Sequence, residues 1–503
     1  MLKLFGGGNS DHPLADVKSA RKVLDEISAS DPFKALEELG HWHESARTAE
    51  GFRPEYRAQL ALLIDDAAQA HVRKLQRDYI ATPRPSKFQE NRLWNAIHGY
   101  WQQSALAFAS SIDQYATGQK GADALKESLP LLAVRALRAL AAQMRWQHVR
   151  YGPVDEALWS IVARICALAE SRKFARISAA VYPGVAGESS PEQEFLRAVM
   201  FAASSPDGLL PIEIELAERL IAHFSASFAL LSEAQPGALC WIDLAASRPP
   251  LRLVQPPPRA PTQRFIAAGK AAQELEQLMR TIKSANAVPS GIALGGNYEP
   301  AEVLDVLSHL ALYWSPKPPE RKAPRHKVKS RLTVTHGFDG VLAALDPSAA
   351  GADGVESWVV ENVSAGGFGA SIPQMRGEWL GIGGLLGLQP EGGDNWVIGV
   401  IRRLQRATPQ QGNVGIETLA RVAAPVNLRF QDGTGSETGV LLNPSDAAVE
   451  AQLLLRAGAF MPGRNLELAR GGKLYLLMPA NVTERGDDYE VVRCRQMIRE
   501  AGE

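Results

Sequence analysis

The sequence predicts a multidomain α + β protein, with a large all-α amino-terminal region followed by two small β domains. Three observations carry this expectation. The chain has 503 residues, enough for about two to four separately packed cores. From about residue 13 to 230 it is rich in Ala, Leu, Glu and Arg, with apolar residues recurring at three- and four-residue steps. Beyond about residue 330 the apolar spacing shortens to two, and the proline-rich Ser315-Pro-Lys-Pro-Pro319 separates the two regimes.

In the helical half, Leu93, Ile97, Tyr100, Trp101, Ala105, Phe108 and Ile112 form one apolar stripe, and Leu158, Ile161, Val162, Ile165 and Leu168 form another. Breakers at Thr82-Pro-Arg-Pro-Ser86, Tyr151-Gly-Pro153 and Gly184 to Pro191 predict about eight to ten helices with short connections. Residues 1–235 therefore read as a helical bundle or irregular solenoid, without an internal repeat of a named length. The most apolar window, Leu129 to Met144, carries Arg135 and Arg138 and falls short of the ~18 apolar residues a bilayer span needs, so it reads as a core helix. The first residues hold no apolar stretch of signal-peptide length. Cys166, Cys240 and Cys494 are far apart and form no C-x-x-C pair, which points to core thiols in a reducing compartment. Together these features predict a cytoplasmic protein without membrane insertion.

Residues 236–314 form a transitional segment. Ala238 to Leu244 and Leu251 to Val254 read as a small hairpin, Gln255-Pro-Pro-Pro-Arg-Ala-Pro261 as a stiff connector, and Arg264 to Lys283 and Pro300 to Tyr313 as bracing helices. Residues 315–425 carry strand patterns at Leu332 to Thr335, Trp358 to Glu361, Trp396 to Val400 and Asn413 to Glu417. After Pro425, within 426–503, further strand patterns begin at Val426, Gly439, Gln452, Leu466, Leu474 and Tyr489, predicting a second small β domain with no readable motif.

Two short clusters carry the functional signal. Arg321-Lys-Ala-Pro-Arg325 puts two forked guanidinium groups four residues apart, inside a stretch from Lys317 to Arg331 with seven Lys/Arg and the single acid Glu320. Arginine grips phosphate oxygens or the O6/N7 edge of guanine in bidentate fashion, each good pair contributing roughly 1 to 3 kcal/mol of discrimination. Asn362-Val-Ser364-Ala-Gly366-Gly367 follows a strand-like run; its Asn and Ser supply short polar groups, and its glycines allow tight turns and close approach to a planar ligand.

This pairing of RxxxR with a later [D/N]xSxxG resembles the PilZ domain, a bacterial receptor module for cyclic di-GMP. Asn395-Trp-Val-Ile-Gly-Val-Ile-Arg-Arg403 and Gly412-Asn-Val-Gly-Ile-Glu417 look like later strands of that small barrel, with Leu419 where the family often closes on an aromatic residue. The resemblance covers about a fifth of the chain. It implies a six-stranded antiparallel β-barrel over 315–425 and a cyclic di-GMP-binding effector with no catalysis. Arg321 and Arg325 would hold phosphates and guanine edges, and Asn362, Ser364 and Gly367 would complete the pocket. Lys322, Gly366 and Arg403 are secondary ligand candidates; Arg402 and Arg403 alternate faces of one strand, so that one of the two is placed either to approach the ligand or simply to face solvent. Many family members carry arginine just before the RxxxR pair, whereas this chain has Glu320, which leaves the number of bound nucleotides open. The helical region would pass the ligand state to a protein partner, with motility, biofilm or surface structures as the output. The alternative is a ligand-independent adaptor of motility machinery.

Other patterns carry less. Gly381-Ile-Gly-Gly-Leu-Leu-Gly387 lacks the lysine and strand-loop-helix setting of a phosphate loop and reads as a sheet turn. His41-Trp-His43 places its histidines on different helix faces, so no metal site is expected. The balance of 54 basic and 55 acidic residues argues against nucleic acid as the partner. No nucleophile arrangement or cofactor motif stands out.

Overall fold

The structure is a computed structural model that describes residues 11–81, 87–185, 187–317, 323–346, 354–377, 379–445 and 449–499. The chain divides into a helical unit and a β unit near residue 320. The helical unit contains α1 (Val17–Ser28), α2 (Pro32–Thr48), α3 (Pro54–Ala81), α4 (Lys87–Ala116), α5 (Leu129–Val149), α6 (Leu158–Ser171), α7 (Pro191–Ala203), α8 (Pro211–His223), α9 (Ala271–Ala285) and α10 (Pro300–Trp314). Short strands lie between them: β1 (Ala179–Ala180), β2 (Glu188–Ser189), β3 (Ala229–Leu231), β4 (Ala238–Asp243), β5 (Leu251–Arg252) and β6 (Gln263–Ala267). Local chemistry sets several helix starts. Asp16 accepts from the Lys18 and Ser19 amides at 2.8 and 3.0 Å, Ser190 and Gln193 form a reciprocal capping box, and Pro32 and Pro300 stand in the first turns of their helices.

Helix α5 is the predicted core helix, and it is buried nearly all round; Leu132, Ala133, Val134, Ala136, Leu137 and Leu140 are inaccessible. Its arginines are tolerated there because each meets an acid. Arg135 donates to Asp65 and, at 2.7 Å, to Asp66, while the Tyr100 hydroxyl donates to Asp65 at 2.6 Å. Arg138 pairs with Glu194 and Arg145 with Glu215. An unpaired ion at these depths would cost several kcal/mol, so the pairs fix which helix faces meet as much as they stabilise them. Among the described residues no helix is long and apolar enough to cross a membrane.

One helix begins later than the apolar spacing suggested. Residues 263–267, expected to open a helix running from Arg264, instead form β6, which lies between β3 and β4 in a four-stranded sheet of order β3-β6-β4-β5. The chain turns into α9 only after Gly269, whose φ of +58° and closeness to the Ser227 carbonyl leave no room for a Cβ. The predicted hairpin is the β4–β5 pair of that sheet.

The β unit contains two closed six-stranded antiparallel barrels. The first is built from β7 (His326–His336), β8 (Glu356–Ser364), β9 (Gly367–Ile372), β10 (Leu385–Pro390), β11 (Val397–Arg406) and β12 (Gly412–Ala420), with α11 (Gly337–Leu345) following β7. The second contains β13 (Ala423–Phe430), β14 (Ser436–Leu442), β15 (Glu450–Arg456), β16 (Leu466–Arg470), β17 (Lys473–Arg485) and β18 (Tyr489–Arg499). Around the first ring the order is β7-β8-β9-β12-β11-β10; around the second it is β13-β14-β15-β18-β17-β16. Adding six to each strand number of the first barrel reproduces the second, so the two share one topology.

Each barrel has its own interior, Leu332, Trp358, Val360, Leu388 and Ile401 among others in the first and Leu428, Leu453, Tyr475 and Val492 in the second. A third cluster joins the barrels: Phe338 and Val341 of α11 with Leu385, Ile398, Val400 and Ala420 pack with Val440, Leu442, Leu454, Tyr489 and Val491. This explains the uninterrupted apolar runs Val397-Ile-Gly-Val-Ile401, Val440-Leu-Leu442 and Leu453-Leu-Leu455. Those strands are covered on both faces, so alternation disappears.

His43 tests the helical core. It is inaccessible, lies 5.7 and 6.2 Å from the Tyr100 and Phe108 rings, and neither ring nitrogen has a hydrogen-bond partner. His41 is exposed, so the H-x-H pair is split between faces as predicted. Burial lowers the His43 pKa from 6.5 to about 4. The unfolded chain therefore binds a proton between these values that the folded chain refuses, and stability falls as pH drops through that window. Chemical denaturation at pH 7.5 and 4.5 should show His43→Leu losing roughly 2 to 3 kcal/mol less than the wild type between the two.

Candidate functional site

Strand β7 carries the end of the basic segment, with Arg325 just before it and His326, Lys327 and Lys329 exposed along its first half. Arg321, Lys322 and Glu320 lie outside the described residues. His326 pairs with Val363 and Lys327 with Asn362, so the basic strand runs beside Asn362-Val363, with Arg325 one residue before the first pair. Sequence distance between the two clusters is thus closed by a single antiparallel pairing.

Residues 362–367 form the tight connection from β8 to β9, where Ser364 pairs with Gly367 and Ala365-Gly366 make the turn. The Ser364 hydroxyl faces the Gly367 carbonyl at 3.4 Å, and the Gly366 carbonyl accepts from the Thr418 amide at 3.0 Å. The two glycines differ. Gly366 is exposed with open space around it, whereas a Cβ on Gly367 would lie 1.9 Å from the Ile416 carbonyl oxygen of β12, and its φ is +155°. Gly367 is therefore required by the backbone pairing itself.

Register shifts on both sides of Asn362 interrupt the alternation that buries Trp358 and Val360. Asn362 turns to the outer surface and lies flat over Gly369, where an added Cβ would meet its amide at 2.5 to 2.7 Å. Gly369 pairs in turn with Gly415 of β12, and Gly415 with Arg403 of β11, whose Cβ an added Gly415 Cβ would approach to 3.3 Å. Across five strands the sequence of register partners is Lys327, Asn362, Gly369, Gly415, Arg403. Two adjacent positions without side chains leave a flat strip of backbone, flanked by an ammonium and an amide on one side and a guanidinium on the other. Such a surface suits a planar, anionic ligand.

Arg402 and Arg403 do not take opposite faces as expected, because a register shift between Ile401 and Arg403 leaves both between the interior residues Ile401 and Leu404, and Arg402 bonds away from the strip. It donates to Glu417 at 2.7 Å and in bidentate fashion to Glu484 of β17 at 2.8 and 2.7 Å, and these bonds to Glu484 raise its pKa. Arg403 is the one that flanks the strip. Gly369 and Gly415 escaped the sequence reading because their importance lies in register; the only local trace is the alternate spacing of Gly367 and Gly369. No group of three or more His, Cys, Asp or Glu that could hold a metal occurs among the described residues.

Two family models match the chain. Residues 18–235 match the amino-terminal domain of the cyclic-di-GMP receptor FimW, and residues 349–425 match its middle PilZ domain. The second range includes Asn362 to Gly367, Gly369, Arg403 and Gly415, and begins after Arg325. Comparison with curated proteins gave no match. The flat glycine strip, with Asn362 and Arg403 at its sides, thus lies in the segment matched as the middle PilZ domain, in a chain whose residues 18–235 match the amino-terminal domain of the same cyclic-di-GMP receptor, and the chain contains a PilZ domain.

Proposed function

We propose that the chain is a cyclic di-GMP effector whose first barrel binds the nucleotide on its outer face. The observation that supports this most directly is the register row Lys327, Asn362, Gly369, Gly415, Arg403, with Arg325 and Ser364 at its edge. Guanine would lie on the glycine strip, with Asn362 and Ser364 addressing its edge. Arg321 and Arg325 would take the phosphates from the connector, with Lys322, Lys327 and Arg403 adding positive charge and Gly366 leaving the approach open. Gly367 serves by holding the turn in place. Binding needs no catalytic group or cofactor.

The helical unit would pass the bound state to a protein partner, with motility, biofilm or surface-structure control as the output. A ligand shifts such an equilibrium only by its differential affinity for the two states, and closing a charged connector over a nucleotide supplies such a difference.

Calorimetric titration of the full chain with cyclic di-GMP should show saturable binding, and no heat of binding would overturn the reading. Arg325→Ala and Ser364→Ala should each weaken binding by about tenfold or more. The titration also counts nucleotides, one or two, for a chain with Glu320 at its key position.

The glycines separate contact from scaffold. Gly369→Ala should displace the Asn362 amide and weaken binding while leaving the melting temperature near that of the wild type. Gly367→Ala drives a Cβ into backbone and should lower the stability of the β unit by about 2 kcal/mol or more, read by thermal or denaturant unfolding.

A further inference from the structure

The second barrel repeats the topology of the first, and its relation to the ligand face can be followed strand by strand. In the first barrel the proposed site lies on the outer faces of β8, β9 and β12, with β7 and β11 at its edges. The equivalent strands of the second barrel are β14, β15 and β18. Their outer faces present Val440, Leu442, Leu454, Tyr489 and Val491, which are buried against the first barrel, and, at the end nearer residue 443, Glu450, Gln452, Arg493 and Arg495, which are exposed. Part of the outer face of these strands serves as a packing surface, while the end near the turn stays exposed and polar.

The turn differs as well. Asn362-Val-Ser364 sits where the second strand of the first barrel leads into the third; at the same place in the second barrel the sequence is Asn443-Pro-Ser445, followed by Asp446-Ala-Ala rather than by glycines. Asn443 is occupied by the chain that links the barrels. Its Oδ1 accepts from the Arg421 and Val422 amides at 3.0 and 3.4 Å, its Nδ2 donates to the Leu419 carbonyl at 3.3 Å, and its own amide donates to the Val422 carbonyl at 2.7 Å. Asn395 adds a bond to the Arg421 carbonyl at 2.8 Å. Held in this way, Arg421 extends its guanidinium back to the first barrel, where Nη2 donates to the Ala365 carbonyl at 2.9 Å, in the middle of the Asn362 to Gly367 turn.

We infer that the second barrel, whose topology repeats that of the first, positions the ligand turn of the first, with Asn443 holding Arg421 and Arg421 holding Ala365. This rests on the proposed nucleotide site but makes a separate claim. Arg421 is a positioning residue: a cation fixed to the turn's carbonyl limits the rotation of the Ala365-Gly366 peptide, and so the placement of Ser364 and Asn362, before any ligand arrives. Preorganisation of this kind appears as affinity, because the ordering cost is met on folding.

The test uses the full chain with Arg421→Ala, Arg421→Lys and Asn443→Ala. Calorimetry with cyclic di-GMP should show Arg421→Ala and Asn443→Ala weakening binding by roughly tenfold, with Arg421→Lys restoring part of the loss. Hydrogen exchange without ligand should show faster exchange at the turn amides, residues 365–368, in the two alanine variants, while the amides of β13 to β18 away from residue 443 keep wild-type rates. Wild-type affinity in Arg421→Ala, or unchanged exchange at 365–368, would overturn the inference. A purely structural role for Arg421 would lower the melting temperature and leave affinity unchanged, and that result also overturns it. If the wild type itself binds no cyclic di-GMP, the nucleotide reading fails, and the exchange measurement still decides whether Arg421 and Asn443 hold the turn.

Discussion

The close approach of Gly367 to the Ile416 carbonyl is the constraint from which the rest of the site follows. Strand β9 can pair with β8 on one side and β12 on the other only if the chain leaves the turn at 365–366 without a Cβ at position 367. With that pairing set, Gly369 falls opposite Asn362 and Gly415, and the flat strip exists. Shifting β9 by one residue would exchange its inward and outward faces, placing Ala370 and Ile372 outside and Gly369 within the barrel. One steric contact therefore ties the geometry of the glycine strip to the integrity of the barrel core.

The β unit uses one architecture for two purposes. In the first barrel the outer faces of β9 and β12 carry Gly367, Gly369 and Gly415 side by side; in the second, the outer faces of β14, β15 and β18 bury Val440, Leu442, Leu454, Tyr489 and Val491 against the first barrel. Burying apolar surface between barrels supplies a driving force of about 25 cal/mol per Å² removed from water, while Arg402 with Glu417 and Glu484, and Arg456 with Asp339, set the orientation at its edges. Exposed pairs of this kind contribute little stability on their own, so their value here is in direction. The helical unit applies the same division of labour at greater depth, where Arg135 and Asp65 are both nearly inaccessible and each needs the other.

Much of this was legible in residue order. The helical periodicity of the first half, the shift to two-residue spacing and the Arg325 and Asn362-Ser364 clusters were all visible, because each is a local pattern or a motif with a local chemical reason. Features that depended on a distant neighbour were not. Residues 263–267 look helical until β3 and β4 are available to pair with them. Gly369 and Gly415 are ordinary strand glycines until register sets them side by side. Arg402 and Arg403 are neighbours in sequence, and only Glu484, 82 residues beyond Arg402, ties Arg402 to the second barrel.

By itself, then, the sequence determined the α + β division, the Asn362 to Gly367 motif and the chemistry of the groups that flank it, since these depend on side-chain type and spacing along the chain. Tertiary structure decided that the carboxyl-terminal β region closes into a barrel of the same topology, that part of its outer surface packs on the first barrel, and that Asn443 and Arg421 reach the turn of the first. Topology is a property of which strands pair, and pairing between strands far apart in sequence leaves no periodic trace in the residues that make it.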